Sequence, residues 1–192
     1  ALYLGGFVMR DLLSTVRAEQ VTPYHVTLLR IIDETDFSGV HRKVALDLVK
    51  IGIVADDEYL NEGILALKQY YAIAVLDPRN MHAVSDMVDP FWHAHILHTE
   101  EYIDFCNRLI GRYLHHDPLD HEKLQAVGMV DCLYRYTVGC YEQFFNYVNP
   151  TFFPAELPVY RLVCKHMLVT SKDIWQHGLL PENQGMQPVA FT

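Results

Sequence analysis

The segment "DDEYLNEGILALKQYYAIAVLDP", residues 56 to 78, constrains the fold most. Leu60, Ile64, Leu67, Tyr71 and Val75 recur at spacings of three and four, so they form one continuous stripe on a helix. Two aspartates open it and Pro78 closes it. The same grammar recurs along the chain. "VTPYHVTLLRIIDET" offers Thr22 as N-cap and Pro23 at the first helical position, and "FSGVHRKVALDLVKIG" offers Ser38 as N-cap and Gly52 as stop. A fourth helix is expected from Asp89 to Gly111, a fifth from about Leu119 to Tyr147, and a sixth in "VYRLVCKHMLVT". Alternating patterns are rare; "LYLGGFV" and "VAFT" are the only mild strand candidates. The expectation is an all-α, single-domain, irregular bundle of about six helices over residues 1–177. An extended or mobile tail over 178–192 follows, because "GLLPENQGMQPVAFT" is polar and rich in breakers.

Composition narrows the functional classes. A 51% hydrophobic content over 192 residues supports a substantial core. The net charge of −9 disfavours nucleic acid and anionic membrane surfaces as partners, and no apolar run suggests a spanning helix. Cys106, Cys132, Cys140 and Cys164 form no CxxC pair, which reads as reduced thiols in a cytoplasmic protein. The start "ALYLGGFVMR" lacks an initiator Met and a charged n-region, as in a processed or trimmed chain without a signal peptide.

The chemistry concentrates in "VDPFWHAHILHTEEYIDFCNRLIGRYLHHDP", residues 88 to 118, which holds five of the 11 histidines: His93, His95, His98, His115 and His116. At about 100° per residue, Phe91, Trp92, Thr99, Tyr102, Ile103, Cys106, Leu109 and Ile110 share a face expected to bury. His95 falls on that face with His98 at its edge, while His93 points away if the helix is regular. Gly111 should reverse the chain and bring His115 or His116 alongside a neighbouring helix. Two ligands from one helix and one or two from a following loop make a metal site, and neutral imidazoles suit zinc, iron, copper and nickel. The pattern is weaker than HExxH, so metal identity stays open. Asp89, Asp117 and Asp120 are the acidic candidates for a further ligand, though a helix N-cap or first-turn charge is the more ordinary role for each. Cys106 reads as a buried small hydrophobe.

Val88, Asp89, Trp92, His93, His95, Leu97, Tyr102, Cys106, Gly111 and His115 or His116 follow a V-D-x-x-W-H-x-H-x-L…Y…C…G…H pattern. In this the chain resembles the glycine-rich-domain-containing-protein-like family. Thr137, Tyr141, Phe145 and Pro154 extend the likeness, which covers about residues 60 to 155. The chain has only 10 glycines and no glycine-rich region. The resemblance implies a role for His93 that helical geometry alone does not.

The leading expectation is a metal-binding protein with His93, His95, His98, His115 and His116 as ligands. It would be a metal-dependent hydrolase or non-haem oxidoreductase acting on a small molecule or peptide. Zinc and iron stand ahead of copper as the divalent ion, with Tyr102 and His116 as candidate catalytic groups. The alternative is a non-catalytic protein-interaction module whose His/Trp cluster is structural. A pH switch built on clustered imidazoles is the third reading.

Overall fold

The computed structural model describes residues 3–4, 7–8, 10–118, 124–156, 162–167 and 172–182. Helices dominate: α1 Leu12–Thr15, α2 Pro23–Glu34, α3 Ser38–Lys50, α4 Asp57–Leu76, α5 Asp89–Leu97, α6 Thr99–Ile110, α7 Leu124–Phe144 and α8 Lys172–Gln176. The all-α class expected from periodicity is therefore what the chain adopts, with eight α-helices among the described residues instead of about six. The strands are short: β1 Tyr3–Leu4, β2 Phe7–Val8, β3 Met81–Ser85, β4 Asp117–Pro118 and β5 Leu162–Met167. β1 and β2 pair antiparallel within the expected "LYLGGFV" segment, and "VAFT" lies outside the described residues.

The caps explain the boundaries. Asp56 accepts the Tyr59 amide at 2.8 Å and starts α4; at α2 the Thr22 amide donates to the His25 ring, with Pro23 at the first position. α3 begins at Ser38, but the capping carboxylate belongs to Asp36, which accepts the Ser38 amide at 2.8 Å. Those contacts hold the Asp36 carboxyl below its ordinary range. Gly52 has φ 82°, the left-handed conformation expected of a helix stop.

α4 is the central helix, with 14 buried residues from Leu60 to Leu76. Gly63 lets α5 pack against it: a Cβ there would lie 2.0 Å from Phe91 Cζ. One apolar cluster runs from Leu12 through Leu67, Phe91 and Phe105 to Phe144 and Ile174. No helix among the described residues is long and apolar enough to cross a membrane.

Two expectations need correction. The stretch expected as a sixth helix contains β5, which lies between β3 and β4 in an antiparallel sheet. Its backbone groups pair with β3, Met167 opposite Met81 and His166 opposite His82, so tertiary pairing overrides a helical reading of a short apolar run. The expected long fourth helix breaks at His98. There the ring Nδ1–H takes the Ala94 carbonyl at 2.7 Å, the acceptor that the His98 amide would use in a continuing helix, and the amide turns to His95 O instead. The break rotates the buried face. Phe105 goes inside, while Thr99 and Ile103, both expected to be buried, are exposed, Ile103 by 47%.

Of the tail expected to be mobile or extended, residues 183–192 lie outside the described residues. Its first part is tied down: Arg79 donates to Leu180 O, Asn80 to Pro181 O, and the Leu179 amide to Leu76 O.

His95 belongs to the core. Its ring meets Phe37 at 4.9 Å, Tyr102 at 5.0 Å and Phe105 at 5.1 Å, and Nδ1 shares a hydrogen bond with the Tyr71 hydroxyl at 2.9 Å. Burial, then the nearby His98, pushes its pKa down to about 3. The unfolded imidazole takes a proton near pH 6.5, whereas the folded one stays neutral. The stabilising contribution is thus complete above about pH 6.5 and declines as pH falls toward 3, by roughly 1.4 kcal/mol per pH unit. Urea unfolding of chelator-treated wild type and His95→Gln between about pH 7 and 4 should show a slope smaller by that amount in the variant. Parallel pH profiles would contradict it.

Candidate metal centre

α5 starts on Asp89 and Pro90, and one turn later His93 lies on the same side. α6 then runs away from α5 and stops at Gly111, whose φ of 72° provides the left-handed cap. The chain returns along residues 112–116 into β4, which pairs with β5 through Asp117 opposite Lys165.

A polar relay fixes that return. The Trp92 indole N–H donates to the Tyr102 hydroxyl at 3.0 Å, and the hydroxyl donates to Leu114 O at 2.7 Å. Trp92 and Tyr102 are both fully buried. Burial above all holds the Tyr102 phenol well above its ordinary pKa, so it stays protonated as a donor. With Leu114 pinned, the His116 ring sits 4.9 Å from Trp92 and 4.4 Å from the His93 ring.

Asp89 receives both imidazoles. His116 Nε2 lies 2.8 Å from Oδ1 and His93 Nδ1 lies 3.3 Å from Oδ2. One ligand atom from each of the three residues falls within 4.8 Å of the others. The Asp89 and His116 side chains are 10% and 14% exposed, whereas His93 is 53% exposed, so the cluster is open to solvent on one side. Donors bound at about 2.1 Å to one tetrahedral ion stand roughly 3.4 Å apart, so little movement would bring these three onto a shared centre.

Of the five expected histidine ligands, the structure brings together His93 and His116, with the acidic candidate Asp89. His95 is committed to Tyr71 and the aromatic core. His98 closes α5 and packs on α3, where a Cβ at Gly39 would come within 2.9 Å of its Nε2. His115 is exposed, 4.8 Å from the Tyr113 ring. Of the other acidic candidates, Asp117 is described only through its backbone pairing in β4, and Asp120 lies outside the described residues. Tyr102, a candidate catalytic group in the sequence, is engaged through its hydroxyl with Trp92 and Leu114 and anchors the loop carrying His116. His93 is both outward-facing and clustered, because the returning loop comes to it.

A second group, Asp77, His82 and Cys140, is wholly buried. Sequence reasoning missed it, since its members come from a helix end, an unanticipated strand and a distant helix. A surface concavity bounded by Ser38, His41, Arg42, Asn61 and Lys68 shares no residue with either group.

Fold and site together define a helical protein with a candidate two-histidine, one-carboxylate metal centre. Residues 30–155 match the family model described as UCP032817-like, and the chain belongs to that family. The matched span includes Asp89, His93 and His116. No curated protein and no solved structure matches the chain.

Tyr102→Phe should lower stability by about 1–3 kcal/mol, because it leaves the Trp92 N–H and Leu114 carbonyl without their buried partner. It should also remove the ring-current displacement of the His116 proton resonances caused by Trp92. Urea unfolding and proton NMR test both; an unchanged His116 spectrum would show that the relay does not seat the loop.

Proposed function

We propose that Asp89, His93 and His116 hold one divalent transition-metal ion, zinc or iron ahead of copper. On this reading the protein is a metal-dependent enzyme acting on a small molecule or peptide. The carrying observation is that both oxygens of one shielded carboxylate face imidazole nitrogens on a cluster with one side open. Two imidazoles and a carboxylate suit borderline divalent ions, and an open side separates catalytic from closed structural sites. The sequence positions resembling the glycine-rich-domain-containing-protein-like pattern include Asp89, His93 and either His115 or His116, in keeping with a shared role.

A bound ion would supply Lewis acidity for activating water or oxygen. The chain's own contribution is positioning. Asp89 orients both imidazoles, Trp92 backs the His116 ring, and the Tyr102 relay holds the loop.

The non-catalytic reading has its own support. Even without an ion, both imidazoles contact Asp89, and His116 ties the returning loop to α5, which suffices for a structural cluster.

Elemental analysis of untagged protein, with thermal unfolding in the presence of zinc or iron(II), separates the two. The enzyme reading expects the His93→Ala/His116→Ala double variant to lose one equivalent of metal relative to wild type. It also expects hydrolysis of model peptides and esters, or oxygen consumption, to fall at least about 100-fold with it. Equal metal content and equal stabilisation in the two proteins would overturn the metal assignment. A metal-loaded wild type that turns over none of these probes would favour the structural reading.

A further inference from the structure

The buried group at the far end of α4 makes a separate argument. Asp77 caps α4, His82 lies in β3 and Cys140 in α7, and all three residues are at most 2% exposed. Hydrogen bonding fixes the His82 tautomer. The Thr137 hydroxyl donates its one proton to Leu133 O at 2.8 Å and accepts the Ala83 amide at 3.1 Å. His82 Nδ1, 3.2 Å from the same oxygen, must therefore be the donor to it. That leaves Nε2 facing the Asp77 backbone carbonyl at 3.3 Å and Asp77 Oδ2 at 3.2 Å. A neutral ring would aim its lone pair at two acceptors, one of them a carboxylate. The space between them calls for a positive charge, either a proton or a metal ion.

Cys140 favours the metal. Its Sγ lies 3.8 Å from Asp77 Oδ2, and one donor atom from each residue falls within 4.8 Å of the others. Around a tetrahedral zinc ion, sulfur and oxygen ligands stand about 3.5 Å apart and nitrogen and oxygen about 3.3 Å apart. The outer contacts are also in place. Asn80 donates to Asp77 Oδ1 at 2.7 Å, Thr137 orients His82, and the Tyr136 hydroxyl donates to Asp77 Oδ2 at 2.6 Å.

We propose that Asp77 Oδ2, His82 Nε2 and Cys140 Sγ form a second, closed metal site for a zinc-type ion, with the Tyr136 hydroxyl hydrogen-bonded to the ligating Asp77 oxygen. The site is structural. It joins the end of α4, β3 and α7, and no ligand side chain reaches solvent. Binding releases the Cys140 thiol proton and any proton on His82 Nε2, leaving a thiolate, a carboxylate and a neutral imidazole around the ion. In its absence burial, then Asp77, keeps the thiol protonated. This site does not depend on the one at Asp89.

Cadmium-113 NMR on the full, untagged chain tests the proposal without altering a ligand. One equivalent of cadmium-113 added to the His93→Ala/His116→Ala double variant should give scalar couplings to the Cys140 Hβ protons and the His82 ring protons. One equivalent of zinc should then displace the cadmium and abolish both couplings. The same couplings in otherwise unaltered protein guard against misfolding of the variant. Cadmium that stays free, or couples to other residues only, would overturn the proposal and leave His82 as a protonated partner of Asp77.

Discussion

The hydroxyl of Tyr102 is the contact on which the candidate centre depends. It accepts from Trp92 in α5 and donates to Leu114 in the returning loop, while its own backbone belongs to α6. One buried oxygen thereby links three consecutive pieces of chain. Left unsatisfied, each of those buried polar groups would carry a desolvation cost, which makes the arrangement cooperative. The loop that follows has little freedom, since β4 pairs with β5 just beyond His116. His116 thus reaches Asp89 because its neighbours on both sides are fixed.

The second constraint is the seat of α5 on α4. Phe91 occupies the space that a side chain at position 63 would need, so only glycine allows this approach. Asp89, Trp92 and His93 follow from that docking: Trp92 turns inward against Tyr70 at 5.5 Å, and His93 turns outward. His95, two residues on, is carried into the aromatic core. The histidine-rich segment therefore divides into a neutral packing group, a helix-closing group, two members of a polar cluster and the exposed His115 beside Tyr113.

Much of this was legible in the sequence where the signal is local. The start of α4 at its aspartates, Pro23 in α2, and the stops at Gly52 and Gly111 are written in residues that accept or terminate a helix. The burial of His95 and the reversal after Gly111 followed from helical angle and glycine geometry. What was not legible depends on distant partners. β3 and β5 are strands because they meet each other across about 80 residues of chain, and neither alternates strongly in sequence. The break at His98 comes from a ring nitrogen competing for a backbone carbonyl, which no periodicity encodes. That break is why Phe105 replaced Ile103 on the buried face, and why His98 left the cluster that regular geometry assigned to it. The convergence of Asp77, His82 and Cys140 needs the unanticipated strand and was invisible for the same reason.

The most direct test of the central claim is anomalous diffraction at the zinc edge from crystals of untagged protein equilibrated with an excess of zinc, enough to fill both proposed sites. The account predicts a peak about 2.1 Å from an Asp89 oxygen, a His93 nitrogen and His116 Nε2. Crystals with zinc bound elsewhere and no anomalous density among Asp89, His93 and His116 would contradict it.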